Sequence, residues 1–159
     1  MLPAQEALTE YLIKVDNLSL SESQKKHVNN LFNMVTDIER VGDHADNLSE
    51  NAKYMIDNNL EFSDLAKEDL AEISKDAIDA FETAINASGA NALGAVRKVN
   101  KLEDKVDMLE DELREKHIDR LTKGECNPQS GIAFLDIISN LERVSDHATN
   151  IAGYVKNEI

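Results

Sequence analysis

Apolar residues recur at helical spacing along almost the whole chain, and the recurrence divides it into five stretches. Leu8, Leu12 and Val15 (i, i+4, i+7) predict a short amphipathic helix over about residues 4–17, with no capping residue ahead of it. Ser19-Leu20-Ser21-Glu22 forms a capping-box pattern. Beyond it Val28, Leu31, Val35, Ile38, Ala45, Leu48, Ala52 and Met55 predict a long helix over roughly residues 21–57, ended by Asn58-Asn59. Ser63-Asp64 can start a third helix that uses Leu65, Leu70, Ile73, Ala77, Ile78, Phe81 and Ile85 and closes at Ser88-Gly89. From about Asn91 a fourth helix shows Val99, Leu102, Val106, Leu109 and Leu113, the alternating spacing of a narrow helix–helix seam, with Gly124 suited to its C-terminal cap. Asn127-Pro128 then supplies an N-cap and a first-turn proline for a fifth helix. Its Ile132, Leu135, Ile138, Leu141, Ser145 and Ala148 are expected to face inward, to about residue 156. There is no hairpin signal, and the connections are short, so the expected fold is all-α, an antiparallel helical bundle.

Polar residues add a second pattern. Residues 38–48 (Ile-Glu-Arg-Val-Gly-Asp-His-Ala-Asp-Asn-Leu) return at 141–151 as Leu-Glu-Arg-Val-Ser-Asp-His-Ala-Thr-Asn-Ile, an offset of 103 (142 − 39). A duplicated bundle needs only its apolar pattern to go on folding, so the return of Glu, Asp, His and Asn implies a further constraint. The offset lays helix five on helix two and helix four on the short first helix. The third helix has no earlier counterpart. The chain therefore reads as one domain, 1–159, of two tandem three-helix units. The second, about 61–159, is complete, while the first, about 1–60, is truncated at its N-terminus; the expectation is a piece of something longer upstream.

Seventeen basic against 31 acidic residues give a formal charge of −14, which repels phosphate backbones and anionic lipid surfaces, so no nucleic-acid partner is expected. Apolar runs are too short for this segment to insert in a membrane. The single cysteine, Cys126, has no partner for an internal disulfide and is read as a loop thiol.

Cations are the natural small partners. Residues four apart on a helix are rotated by about 40° and displaced by about 6 Å, so Glu39 with Asp43, and Glu142 with Asp146, project from one face. Gly42, Ala45 and Ser49 in one copy, and Ser145, Ala148 and Ala152 in the other, keep the adjoining face narrow. Glu103 and Asp107 make a third such pair, and antiparallel packing of helices four and five would let Glu103, Asp107, Glu142 and Asp146 converge. Carboxylates at contact distance raise one another's pKa and call for metal, protons or arginine. Their oxygens suit magnesium, manganese and iron, and zinc also accepts them. The alternative is a solvated acidic stripe. Arg40 and Arg143 either partner the carboxylates or form surface ion pairs, the latter being preferred. His44 and His147 lie off the stripe, where neighbour-helix hydrogen bonding and ligation are both open, and Asp37 is expected to be solvated.

The string Asp37-Ile38-Glu39-Arg40-Val41-Gly42-Asp43-His44-Ala45, with its echo at 141–148, resembles the hallmark of the PhoU family of phosphate-uptake regulators. That resemblance implies two three-helix units with Glu/Asp-x-x-x-Asp motifs that hold iron or zinc clusters. By position it marks Glu39 and Asp43 in the first unit and Glu103, Asp107, Glu142 and Asp146 in the second. Subtracting 103 from 103 and 107 gives position 0 and Ala4, so the first unit lacks its matching pair. The stretch Tyr11-Leu12-Ile13 to Leu18-Ser19-Leu20-Ser21 is more similar to the PhoU-type domain at the C-terminus of bacterial sodium/phosphate cotransporters.

The resemblance implies a non-enzymatic, cytoplasmic, metal-binding regulatory domain in phosphate homeostasis, held at the inner face of the cell membrane by an upstream transporter. Its expected partners are that transporter's membrane domain or another phosphate-signalling protein. Alternatives are a free-standing PhoU-type regulator and a purely structural helical adaptor, and apolar helix surface left uncovered would also drive homodimerisation. A di-iron carboxylate enzyme is disfavoured because such sites require Glu-x-x-His. The third residue after Glu39 is Gly42, and after Glu142 it is Ser145.

Overall fold

The computed structural model describes residues 3–87 and 91–156, and within them the backbone forms five helices and no strand. They are α1 (Pro3–Asp16), α2 (Glu22–Asp57), α3 (Asp64–Ile85), α4 (Ala92–Thr122) and α5 (Pro128–Lys156). Their ends follow local chemistry. Ser21 caps α2 reciprocally with Gln24: the Gln24 N–H donates to Ser21 Oγ at 3.3 Å, and the Ser21 N–H donates to Gln24 Oε1 at 2.9 Å. The box is thus Ser21/Gln24, two residues further along the chain, and not Ser19/Glu22. Ser63 Oγ caps α3 through the Ala66 N–H, and Asn127 Oδ1 caps α5 through the Gln129 N–H. Gly124, at φ +71°, takes the left-handed turn that closes α4. The expected Ser88-Gly89 stop lies outside the described residues.

Helices α3, α4 and α5 pack against one another as a three-helix bundle, α2 lies against α5, and α1 touches only α2. One end of the bundle is filled by Ile73, Val106, Leu113, Phe134 and Ile138. The other is lined by Ala80, Ala84, Val96, Val99, Ala148, Ile151 and Ala152. The small residues at this second end allow the helix axes to approach closely. Central α5 has a neighbour on three sides, and its Ser145, Ala148 and Ala152 are fully buried.

Several apolar residues assigned inward by spacing are exposed. Ile132 sits two residues before Phe134, about 200° around the helix, and points to solvent. Leu8, Leu65, Ile78 and Ile85 are likewise at least half exposed, on the outer flank of their stripes. On α2, Ile38, Ala45 and Ala52 are exposed because its described neighbours are α1 and α5 alone. The α3–α5 bundle and the α1–α2 pair are therefore packed unequally, and α2 carries the uncovered side.

Candidate metal centre

Antiparallel pairing of α4 and α5 sets the acidic turns of the two helices against each other. Glu103, Asp107 and Asp146 each present a carboxylate oxygen such that all three lie within 4.8 Å of one another, the one such group among the described residues. Glu103 and Asp146 are half-buried and Asp107 is exposed. Burial raises the Glu103 carboxyl above the usual range, with Asp107, Asp104 and Asp146 adding to it. Asp107 is raised for the same reason, by burial first and then by Asp146. Negative charge is concentrated where the two helices meet.

Glu142 stands one turn from Asp146 on α5 and faces the same groove without joining the three-oxygen group. Burial raises its pKa, Asp146 raises it further, and Arg143 opposes. Arg143 bridges the two α5 carboxylates, its Nε 3.4 Å from Glu142 and its Nη1 donating to Asp146 at 3.3 Å. It is therefore a partner of the carboxylates, despite an exposed side chain. Beyond Glu142 a groove of about 280 Å3 continues past Glu110, Arg114 and Ser139, and Glu110 is held there by Arg114. Three carboxylates from two helices, with a fourth alongside, form an all-oxygen donor set that fits a hard or borderline cation.

The acidic pair of α2 lies elsewhere. Glu39 is half-buried on α2 and Asp43 is exposed, with Arg40 Nη1 at 3.6 Å. No third described carboxylate, histidine or cysteine gathers on them.

The repeated histidines and asparagines act at a different place, the antiparallel contact of α2 with α5. Asp37, expected to be solvated, is buried. Its carboxylate accepts hydrogen bonds from His147 Nδ1 at 2.7 Å, Asn150 Nδ2 at 3.1 Å and the Tyr154 hydroxyl at 2.8 Å. Burial together with the bond to Asp37 pushes the Tyr154 pKa up to about 12. Asn140, which is Asp37 plus the 103-residue offset, plays the same part on α5. Its Oδ1 accepts from His44 Nδ1 at 2.8 Å and from Asn47 Nδ2 at 3.0 Å. The two imidazoles lie between these arms with ring centroids 5.6 Å apart, tilted 31° to one another. The signal was present in the spacing. Asp37, His44 and Asn51 are seven apart, as are Asn140, His147 and Tyr154, so each set forms one stripe, two turns per step.

Residues 70–155 match the PhoU domain family. Over 128 residues the chain is 23% identical to the phosphate-specific transport system accessory protein PhoU homolog 1 of Thermotoga maritima; the match covers 80% of this chain and 54% of that protein. The chain thus spans about half the length of this curated relative. The family is regulatory and not enzymatic. With the family's match over more than half of its length, and a duplicated acidic motif on antiparallel helices, the chain belongs to the PhoU domain family.

Proposed function

We propose that this chain is a cytoplasmic, metal-binding regulatory domain of phosphate homeostasis, the C-terminal part of a sodium-dependent phosphate cotransporter. Family membership supports the phosphate context. The observation that carries the metal reading is the meeting of Glu103 and Asp107 from α4 with Asp146 from α5. Glu142 is the natural fourth donor, because a cation entering the groove would displace Arg143 from it. Iron or zinc are the favoured ions, and magnesium or manganese would use the same oxygens. A bound ion would neutralise the raised carboxylates, tie α4 to α5 and so bias how the bundle docks on a transporter domain or another phosphate-signalling protein. The cotransporter assignment is supported by the segment from Tyr11 to Ser21. No helix of the described residues is long and apolar enough to cross a membrane, so any membrane attachment would come through an upstream transporter region.

The test is a metal titration followed by elemental analysis and thermal melting, comparing the wild type with Glu142→Ala/Asp146→Ala. The wild type should retain metal and melt higher with it than with chelator, and the double variant should do neither. Equal metal content and equal melting in the two proteins would discredit the reading, leaving a structural adaptor indifferent to chelation.

A further inference from the structure

A second polar constellation lies at the far end of the bundle from the acidic cluster. Ser130 and Asp146 are sixteen residues apart on α5, about 24 Å along the helix. There the last third of α4 meets the first turn of α5, and the segments preceding α3 and α5 close over them around a cavity of about 150 Å3. His117, Arg120, Ser130 and Phe134 line it, with Glu61 and Glu125 also contributing.

Its polar groups are held in place but not satisfied. The His117 ring is 3% exposed and stacks on Phe134 with centroids 5.1 Å apart. Gly131 makes room for it, since a Cβ there would stand 2.4 Å from His117 Nε2. The Arg120 guanidinium lies 5.4 Å from the Phe134 ring centroid, and its Nη1 donates to Asp69 at 2.9 Å. Yet His117 Nε2, Arg120 Nη2 and Ser130 Oγ, all buried, have no hydrogen-bond partner. Buried polar groups are normally paired, so three unpaired around one cavity are an anomaly. Arginine can only donate, and serine and neutral histidine can donate, so the three call for an acceptor. The positive end of the 29-residue α5 helix favours the same sign of ligand. Glu61 and Glu125 add a further requirement. A carboxylate repels a fully ionised oxyanion but accepts a hydrogen bond from one that keeps a proton.

We propose that the cavity bounded by His117, Arg120 and Ser130 binds a phosphate group that still carries a proton, as inorganic phosphate or the phosphate of a small monoester. Arg120 and Ser130 donate to its oxygens, His117 supplies a third donor, and a glutamate accepts a hydrogen bond from the hydroxyl that the phosphate retains. Recognition is short-range, because the net charge of −14 gives no long-range attraction, and binding is expected in the millimolar range. The site shares no residue with the carboxylate cluster.

The test follows the His117 imidazole resonances of the wild-type chain during titration with inorganic phosphate, glycerol 3-phosphate and sulfate at matched ionic strength. Saturable shifts with either phosphate compound, at least fivefold weaker in Ser130→Ala, and little response to sulfate are expected. Comparing the two phosphate compounds identifies the source. Absence of a saturable shift with both would overturn the site, as would an equal response to sulfate. Arg120→Gln should abolish binding; if its loss from Asp69 and Phe134 unfolds the chain, Ser130→Ala, a small deletion, decides. Glu142→Ala/Asp146→Ala should bind phosphate as the wild type does, so the metal reading and this one stand or fall separately.

Discussion

Asp37 and His147, 110 residues apart in sequence, form a 2.7 Å hydrogen bond across the α2–α5 contact, and the same position one repeat later holds Asn140 against His44. The duplicated motif therefore serves two purposes: in its second copy Asp146 meets the α4 carboxylates, and in both copies its histidine and asparagine join α2 to α5. Removing the acceptor leaves His147, Asn150 and Tyr154 unpaired together. Asp37→Ala should lower stability by about 3 kcal/mol, whereas Asp37→Asn, which copies the arrangement at Asn140, should cost about 1 kcal/mol. Urea unfolding of the two variants checks this, and equal losses would show that the shared acceptor is unimportant.

The acidic residues of the two units should behave unequally. Asp146 meets two carboxylates from α4, while Asp43 has only Arg40 as a described ionic partner. Elemental analysis after metal loading should show a larger loss for Asp146→Ala than for Asp43→Ala. The reverse order would place the ion on α2.

The carboxylate cluster opposes folding at neutral pH. Glu103, Asp107 and Glu142 have pKa values raised on folding, so the folded chain binds their protons more readily than the unfolded one. The resulting stabilisation is present below the ordinary carboxylate values and is lost as pH rises through the raised folded values. Glu103→Gln/Asp107→Asn should accordingly be more stable than the wild type at pH 7, with the difference shrinking toward pH 4. Chelator-treated protein is the sample to melt, since a bound cation would offset the repulsion.

His117 titrates with the opposite effect. Burial, aided by Arg120, lowers its pKa, so the unfolded chain takes up the proton first and stability falls as pH drops below the ordinary histidine value of 6.5. His117→Leu should flatten this part of the profile. Gly131→Ala, whose Cβ would meet the ring at 2.4 Å, should cost about 1–3 kcal/mol, because a ring stacked on Phe134 has little room to yield. Chemical denaturation across pH 5–8 measures both.

Spacing of four on antiparallel helices predicts that Glu103, Asp107, Glu142 and Asp146 converge; the structure brings Glu103, Asp107 and Asp146 together and leaves Glu142 alongside. Asp37 is expected to be solvated because it stands on another face of the helix from Glu39. What buries it is a helix more than a hundred residues away, and only the seven-residue step to His44 hinted at that. Likewise Ile38, Ala45 and Ala52 carry the apolar spacing of a core stripe but are exposed, since periodicity states which face is apolar and not whether another helix covers it.

Helix number, direction and the acidic stripes are properties of residue type and local spacing, and hydrogen bonding along a helix translates them directly into faces. The sequence by itself determined these. Which stripe lies against which was decided by tertiary packing. It separated Glu103, Asp107 and Asp146 as a cluster from the dispersed Glu39 and Asp43, turned His44 and His147 into a joint between α2 and α5, and gathered His117, Arg120 and Ser130 around one cavity. Such contacts depend on the relative placement of whole helices, which burial of the apolar core sets and no local pattern encodes.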